Sequence, residues 1–251
     1  MITEMLDVAD IPALEHDDAM AVAAVEYDRL LELVDRFRPQ DWARQTDCPG
    51  WDVRDVVSHL LGWMKANADP AEAGRQLAVA AREAEEQGIL RLDAQTALHV
   101  REHADLSPGE VSAAVHEWAG RALVGRTAAP AEQRAGTLST GLPGESDWTL
   151  GYVIDVVFTR DLWMHRIDLC RATGQPLQVT SDHDGRIVAD VVADWARRHG
   201  RSFTLRLDSP AGGSFTAGSN GPELRLDAIE FCRILSGRSP ADGLLATFVP
   251  F

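Results

Sequence analysis

The stretch Gly151 to Thr173, GYVIDVVFTRDLWMHRIDLCRAT, constrains this chain more than any other. Leu150, Ile154, Val157 and Phe158 fall on one side of a helix. Continuing that stripe by steps of three and four reaches Asp161, His165 and Asp168. An apolar face that turns into Asp-x-x-x-His predicts burial of a carboxylate and an imidazole one turn apart. Left uncompensated, such groups cost several kcal/mol. Two compensations are open. Asp and His at i and i+4 project side by side and can share one cation, or the pair is a buried Asp–His or Asp–Arg contact with no metal.

The rest of the chain supplies a frame for that helix. Residues 13–37 carry apolar positions at helical intervals, among them Met20, Tyr27, Leu30, Leu31 and Val34, and Pro39 stops them. A connection punctuated by Pro49 and Gly50 leads to Asp52, an N-cap with acidic Asp55 three residues on. The helix behind it runs through Val53, Val56, Val57, Leu60, Leu61 and Met64, with His59 in its middle. Residues 70–105, rich in Ala and Glu, read as strongly helical with a solvated face. His99 and His103 there form a second i, i+4 histidine pair, set among residues of surface character. Ser107 and Glu110 form a capping box for a helix through Val111, Val115, Trp118 and Leu123, and His116 in it has no evident partner. Residues 127–147 are loop-like, and Gly174 and Pro176 close the last helix.

Four main helices and a long insertion thus predict an up-and-down bundle over residues 1–178. Beyond Pro176 the pattern changes. An amphipathic helix from Asp182 to His199 precedes the alternating strand Phe203 to Leu207 and short strands over 214–217 and 223–226. Asp227 caps another helix, and a last strand is expected over 244–249. Residues 179–251 are therefore expected to be a small α/β domain, and the chain as a whole to be α+β.

Composition narrows the function. With 39 acidic against 24 basic residues, the net charge of −15 repels nucleic acid. No basic patch overrides it, since Arg166, Arg171, Arg197, Arg198 and Arg201 are isolated or interleaved with acids. No run approaches the roughly 18 apolar residues of a membrane span, and the acidic start MITEMLDVADIP lacks the pattern of a signal peptide. A cytoplasmic location is the expectation. Cys48, Cys170 and Cys232 are too widely spaced for a disulfide framework. Cys48, in a turn with no activating base near it in sequence, reads as a small packed residue rather than a catalytic thiol.

In a bundle, inward side chains on facing helices build metal sites. His59 from one helix and Asp161 with His165 from another supply two imidazoles and a carboxylate, the three-ligand set of an open catalytic zinc site. The same set suits non-haem iron or nickel.

The stretch Asp41-Trp42 … Cys48-Pro-Gly-Trp-Asp-Val-Arg-Asp-Val-Val-Ser-His59 resembles the second-helix signature of the mycothiol-dependent maleylpyruvate isomerase family, within the DinB-like group of metal-binding four-helix bundles. Arg160-Asp161-Leu-Trp-Met-His165-Arg-Ile-Asp168 resembles its last-helix signature. Gly212-Gly-Ser … Asp227-Ala-Ile-Glu-Phe-Cys-Arg-Ile-Leu-Ser-Gly-Arg238 resembles its appended C-terminal domain. The resemblance implies a bundle holding a divalent ion, zinc by preference, through His59, Asp161 and His165. It departs at 161, where the isomerase type carries Glu. Asp168 is then either an acceptor that fixes the tautomer of a ligand imidazole or a partner of Arg166 or Arg171. An acidic substrate would be held by Arg238 or Arg233, and no catalytic residue is assigned.

The chemistry implied is that of an actinobacterial isomerase or S-transferase using mycothiol, or a similar small thiol, on an electrophilic substrate, as a monomer or homodimer. The alternatives are a non-catalytic bundle enclosing a metal or hydrophobic ligand, and a structural bundle whose metal site is vestigial.

Overall fold

Short polar side chains write the helix starts of this chain, and glycines write several of the ends. The computed structural model describes residues 5–142 and 145–251. It divides into two compact units, one of residues 15–176 and one joining the N-terminal segment up to Leu14 with residues 177–251. In chain order, β1 (Met5–Asp7) precedes α1 (His16–Val34) and α2 (Val53–Ala68). Asp52 caps α2 reciprocally: its carboxylate accepts from Asp55 N at 2.9 Å, and that of Asp55 accepts from Asp52 N at 3.2 Å. Next come α3 (Pro70–Gln87), α4 (Arg91–Glu102) and α5 (Pro108–Thr127), the last opened by the Ser107–Glu110 box. After α6 (Ala131–Arg134), β2 (Thr137–Leu138) pairs antiparallel with β3 (Trp148–Thr149). The closing helix begins as α7 (Leu150–Tyr152), passes through a π-helical turn at Val153–Val157 and continues as α8 (Phe158–Thr173).

Helices α1, α2, α5 and α8 form the bundle: α2 packs on α5 and α8, and α1 packs on the same two. Their facing sides bury Leu30, Val56, Leu60, Leu61, Val111, Val115, Trp163 and Ile167. Helix α8 is unlike its neighbours in that Leu162 through Cys170 are all buried, charged residues included. Arg166 meets Glu26 there in a bidentate pair at 2.8 and 3.0 Å.

Residues 70–105, read as strongly helical, form a hairpin of two helices, α3 and α4. Gly88, at φ 66°, ends α3 in the left-handed conformation that glycine adopts without a Cβ penalty. Both arms pack on α2 and bury Gln76, Ala80, Ala94, Leu98 and His99. The surface character expected for His99 and His103 is thereby corrected, since they are 0% and 3% exposed. The charge-dense face that suggested solvation is only the outer half of each arm.

The π-turn also departs from the regular stripe. Phe158 N reaches back to Val153 O, five residues away, instead of to Ile154 O. Buried Arg126 of α5 donates to that carbonyl from Nε at 3.0 Å and Nη2 at 2.6 Å, and to Thr159 Oγ1 at 2.6 Å. The extra residue shifts the buried face, so Val153, Ile154 and Val156 are covered while Val157 and Phe158 are half-buried.

In the other unit, α9 (Asp184–His199) precedes β4 (Phe203–Asp208), β5 (Gly213–Ala217), β6 (Glu223–Asp227) and α10 (Ala228–Leu235). The sheet order is β1-β5-β4-β6, with β4 antiparallel to β5 and parallel to β6. Alternation turns Phe203, Leu205 and Leu207 to one face, where Trp195 of α9 lies 4.7 Å from Phe203 and 5.3 Å from Phe231 of α10. Strand β1 adds a parallel edge to β5, with Leu6 opposite Phe215. The strand expected over 244–249 does not form. Gly243–Ala246 is a 3-10 turn whose Leu244 carbonyl accepts the buried Trp195 indole at 2.9 Å. A short apolar run without alternation gives no period to distinguish the two.

Candidate metal centre

His59 projects from the middle of α2, and Asp161 and His165 project one turn apart from α8 toward it. His59 Nε2 lies 3.5 Å from Asp161 Oδ2, and His165 Nε2 lies 3.4 Å from Asp161 Oδ1. Donor atoms of all three fall within 4.8 Å of one another. These spacings are long for charge-assisted hydrogen bonds, which run about 2.7–2.9 Å. They match the roughly 3.4 Å edge of a tetrahedron whose centre is about 2.0–2.1 Å from nitrogen or oxygen ligands. Two imidazoles and one carboxylate at that separation fit a divalent ion such as zinc.

Access and electrostatics agree with this fit. The His59 and His165 side chains are 2% and 7% exposed, while Asp161 keeps 16%, so the open side is the carboxylate's. Trp51 stacks at a tilt 5.1 Å from His59 and 6.3 Å from His165, and Trp63 lies edge-on to His59 at 6.0 Å. Burial pushes the Asp161 carboxyl up, but the imidazoles of His165 and His59 outweigh it and hold it well below the usual carboxylate range. For His165, burial pushes the imidazole down. The Asp161 carboxylate, together with hydrogen bonds to Asp161 and Asp168, carries it well above its ordinary value. Asp161 is thus held as a carboxylate and His165 toward imidazolium, and a cation would take the place of that proton.

Each imidazole is also held from behind. His165 Nδ1 donates to Asp168 Oδ2 at 3.1 Å, and Asp168 is fully buried. Of the arginines expected near Asp168, Arg166 pairs with Glu26 and Arg171 with Asp47. In the neutral ring that a cation would require, a carboxylate accepting from Nδ1 leaves the Nε2 lone pair on the Asp161 side. Cys48 Sγ lies 3.4 Å from the same Asp168 oxygen and 3.8 Å from His165 Nδ1. The Cys48 thiol donates to Asp168, a partner 120 residues away that the sequence around Cys48 does not show. Behind His59, His99 brings its Nδ1 to 3.4 Å from His59 Nδ1. His116 pairs with Asp35 at 2.8 Å on the surface.

Arg233 and Arg238 belong to the C-terminal unit. Arg233 is 4% exposed on α10 and donates to Glu230 at 3.2 Å, and Arg238 N closes the helix end on Arg233 O at 2.9 Å.

The family described as "Mycothiol maleylpyruvate isomerase N-terminal domain" matches residues 23–170 of the sequence. The chain belongs to this family. His59, Asp161 and His165, which converge, and Cys48, His99 and Asp168 around them lie within the matched span. Among solved structures, the fold is similar to that of the mycothiol-dependent maleylpyruvate isomerase, with a TM-score of 0.59 at 13% identity over 94% of this chain and 93% of that one. A histidine-to-alanine mutant of the isomerase gives the same score and coverage at 14% identity. No curated protein sequence matches the chain. Among the described residues, no helix is long and apolar enough to cross a membrane, and none of the three cysteines enters a disulfide.

The α+β reading, a DinB-like bundle with a small α/β part, and the family resemblance hold in the structure and the comparisons. Gln76 and His99 are the site neighbours that periodicity misses. The signal available for them is the pair of histidines four apart, and Gln76 carries none.

Proposed function

We propose that this chain is a divalent-metal-dependent enzyme that uses a low-molecular-weight thiol of the mycothiol type. It would act on a small electrophilic substrate by isomerisation or S-transfer. The observation that carries the reading is the convergence of His59, Asp161 and His165 donors at metal-ligand spacing, in a family whose described member is a mycothiol-dependent isomerase.

His59, Asp161 and His165 would hold the ion, zinc by preference. A bound divalent ion supplies thiolate at neutral pH, because coordination deprotonates a thiol. The residues of the chain prepare the place. Asp168 keeps the proton of His165 on Nδ1 and so presents Nε2 inward. Trp51 and Trp63 line the imidazoles with apolar surface, which excludes water and strengthens local charge interactions. Asp161, on the open side, is the ligand nearest to entering solutes. A thiolate sulfur delivered there attacks an electrophilic carbon. The new carbon–sulfur bond would displace the carbon's π bond onto its neighbour; rotation and expulsion of the same thiolate would complete an isomerisation, and protonation of the carbanion by water would complete an S-transfer by addition.

Arg233 and Arg238 are the proposed holders of an acidic substrate, since guanidinium groups bind carboxylates bidentately. A cytoplasmic location suits a reaction that needs reduced thiol. The test is metal analysis of purified protein together with thiol-dependent turnover of an electrophilic acid. His59→Ala and His165→Ala should each lose stoichiometric metal and turnover. Full metal retained in both overturns the proposed site.

A further inference from the structure

Behind His59 lies a row of hydrogen bonds whose donors and acceptors are fixed by the groups at its far end. Gln76 Nε2 faces the Gly62 carbonyl at 3.1 Å and a Glu72 carboxylate oxygen at 2.9 Å. Both of those groups accept only, so that end of the amide must be the NH2. The other end is therefore the oxygen, and it lies 2.9 Å from His99 Nε2. An amide oxygen cannot donate, so His99 Nε2 carries a proton. His99 is fully buried, and a neutral ring avoids the desolvation of an imidazolium. A neutral ring protonated on Nε2 has a bare Nδ1. That atom faces His59 Nδ1 at 3.4 Å and accepts from it. His59 then has its proton on Nδ1 and its Nε2 lone pair toward Asp161.

We infer that His99, oriented by Gln76, is a positioning residue that fixes the tautomer and ring orientation of His59 at the metal centre. The helical hairpin α3–α4, inserted between two bundle helices, exists in part to deliver these two side chains. The backbone of α2 is cut to receive His99. A Cβ on Gly62, three residues after His59, would lie 2.2 Å from His99 Cγ, so only glycine leaves room for the ring. Trp63 closes the other side, 4.8 Å from His99 and edge-on. The two metal-facing imidazoles are thus held by different chemistry, His165 through an anionic carboxylate and His59 through a neutral imidazole–amide row.

The inference rests on the proposed metal site, and the experiment separates the two. The 15N resonances of the His99 and His59 rings in the wild-type protein should report a protonated Nε2 and bare Nδ1 on His99, and a protonated Nδ1 on His59. Zinc titration of His99→Leu should then show affinity lower by about 10–100-fold, the usual loss for an outer partner of a ligand. His99→Gln, which can offer an amide oxygen to His59, should recover part of it at matched thermal stability. A proton on His99 Nδ1, unchanged zinc affinity in His99→Leu, or equal loss in both variants overturns the inference. If His99→Leu does not fold, the ring resonances decide. If the wild-type protein binds no zinc, the metal reading fails while the resonances still judge the His99–His59 relation.

Discussion

Arg166 of α8 clasps Glu26 of α1 through Nε and Nη2, at 2.8 and 3.0 Å, with both side chains at most 3% exposed. Removing one partner strands a buried charge, which costs about 3–5 kcal/mol. Glu26→Ala should lower the free energy of unfolding in urea by that amount. Glu26→Met combined with Arg166→Leu should recover most of it, because an apolar pair of similar volume needs no compensation. A Glu26→Ala loss below about 1 kcal/mol would show that water or rearrangement relieves the charge.

The turn before α2 gives a pH signature. Arg38 donates to the buried Asp41 carboxylate from Nε, Nη2 and its own backbone N, each at 3.0 Å, and Arg44 adds an ion pair at 3.2 Å. The Arg38 hydrogen bonds hold the Asp41 carboxyl down at about 2, against about 3.9 in an unfolded chain. The unfolded state therefore takes up its proton first as pH falls. The stabilisation is complete above about pH 4 and is lost as pH drops toward 2. Asp41→Asn should melt below the wild type at pH 7, and the gap should narrow through that acid window. A gap independent of pH would assign the effect to shape and not to charge.

At the candidate metal centre, length and charge at position 161 can be separated. Asp161→Ala removes a donor within 3.5 Å of both imidazoles. It should weaken zinc binding by more than the about 10–100-fold typical of an outer partner. Asp161→Glu keeps the charge and adds one methylene, so zinc should still bind stoichiometrically. Calorimetric titration reads both, and equal affinity in Asp161→Ala and wild type would remove Asp161 from the ligand set.

Gly62 and His99 should show compensating energetics. Gly62→Ala forces a methyl into the space of the imidazole, and overpacking of this kind costs about 1–3 kcal/mol. His99→Ala empties that space. The double variant should therefore be more stable than the sum of the two single losses, a coupling that a double-mutant cycle in urea would expose. Simple additivity would mean that the ring moves aside freely.

Much of this was legible from periodicity and caps. The stripes of α1 and α2 and the boxes at Asp52 and Ser107 stand where the sequence puts them, because each is a local signal within one or two turns. The converging residues were legible for the same reason, since a polar pair on an apolar face is itself a local anomaly. Cys48, Gln76 and His99 were not, because their meaning lies in contacts across 23 to 120 residues. The 244–249 segment failed for want of a period. Strand β1 failed because a parallel edge of three residues leaves no alternation long enough to read.

The π-turn at Val153–Val157 carries a consequence for how such a site can evolve or be redesigned. The π-turn takes up one surplus residue in a single wide turn. Winding the same residues as regular α-helix would turn everything downstream by roughly 100° and aim Asp161 and His165 at a different neighbour, whereas excising one residue there would leave their aim unchanged. The aim of the two side chains thus depends on the winding upstream of them, and Arg126, by occupying the carbonyl that the irregularity releases, keeps that winding from relaxing.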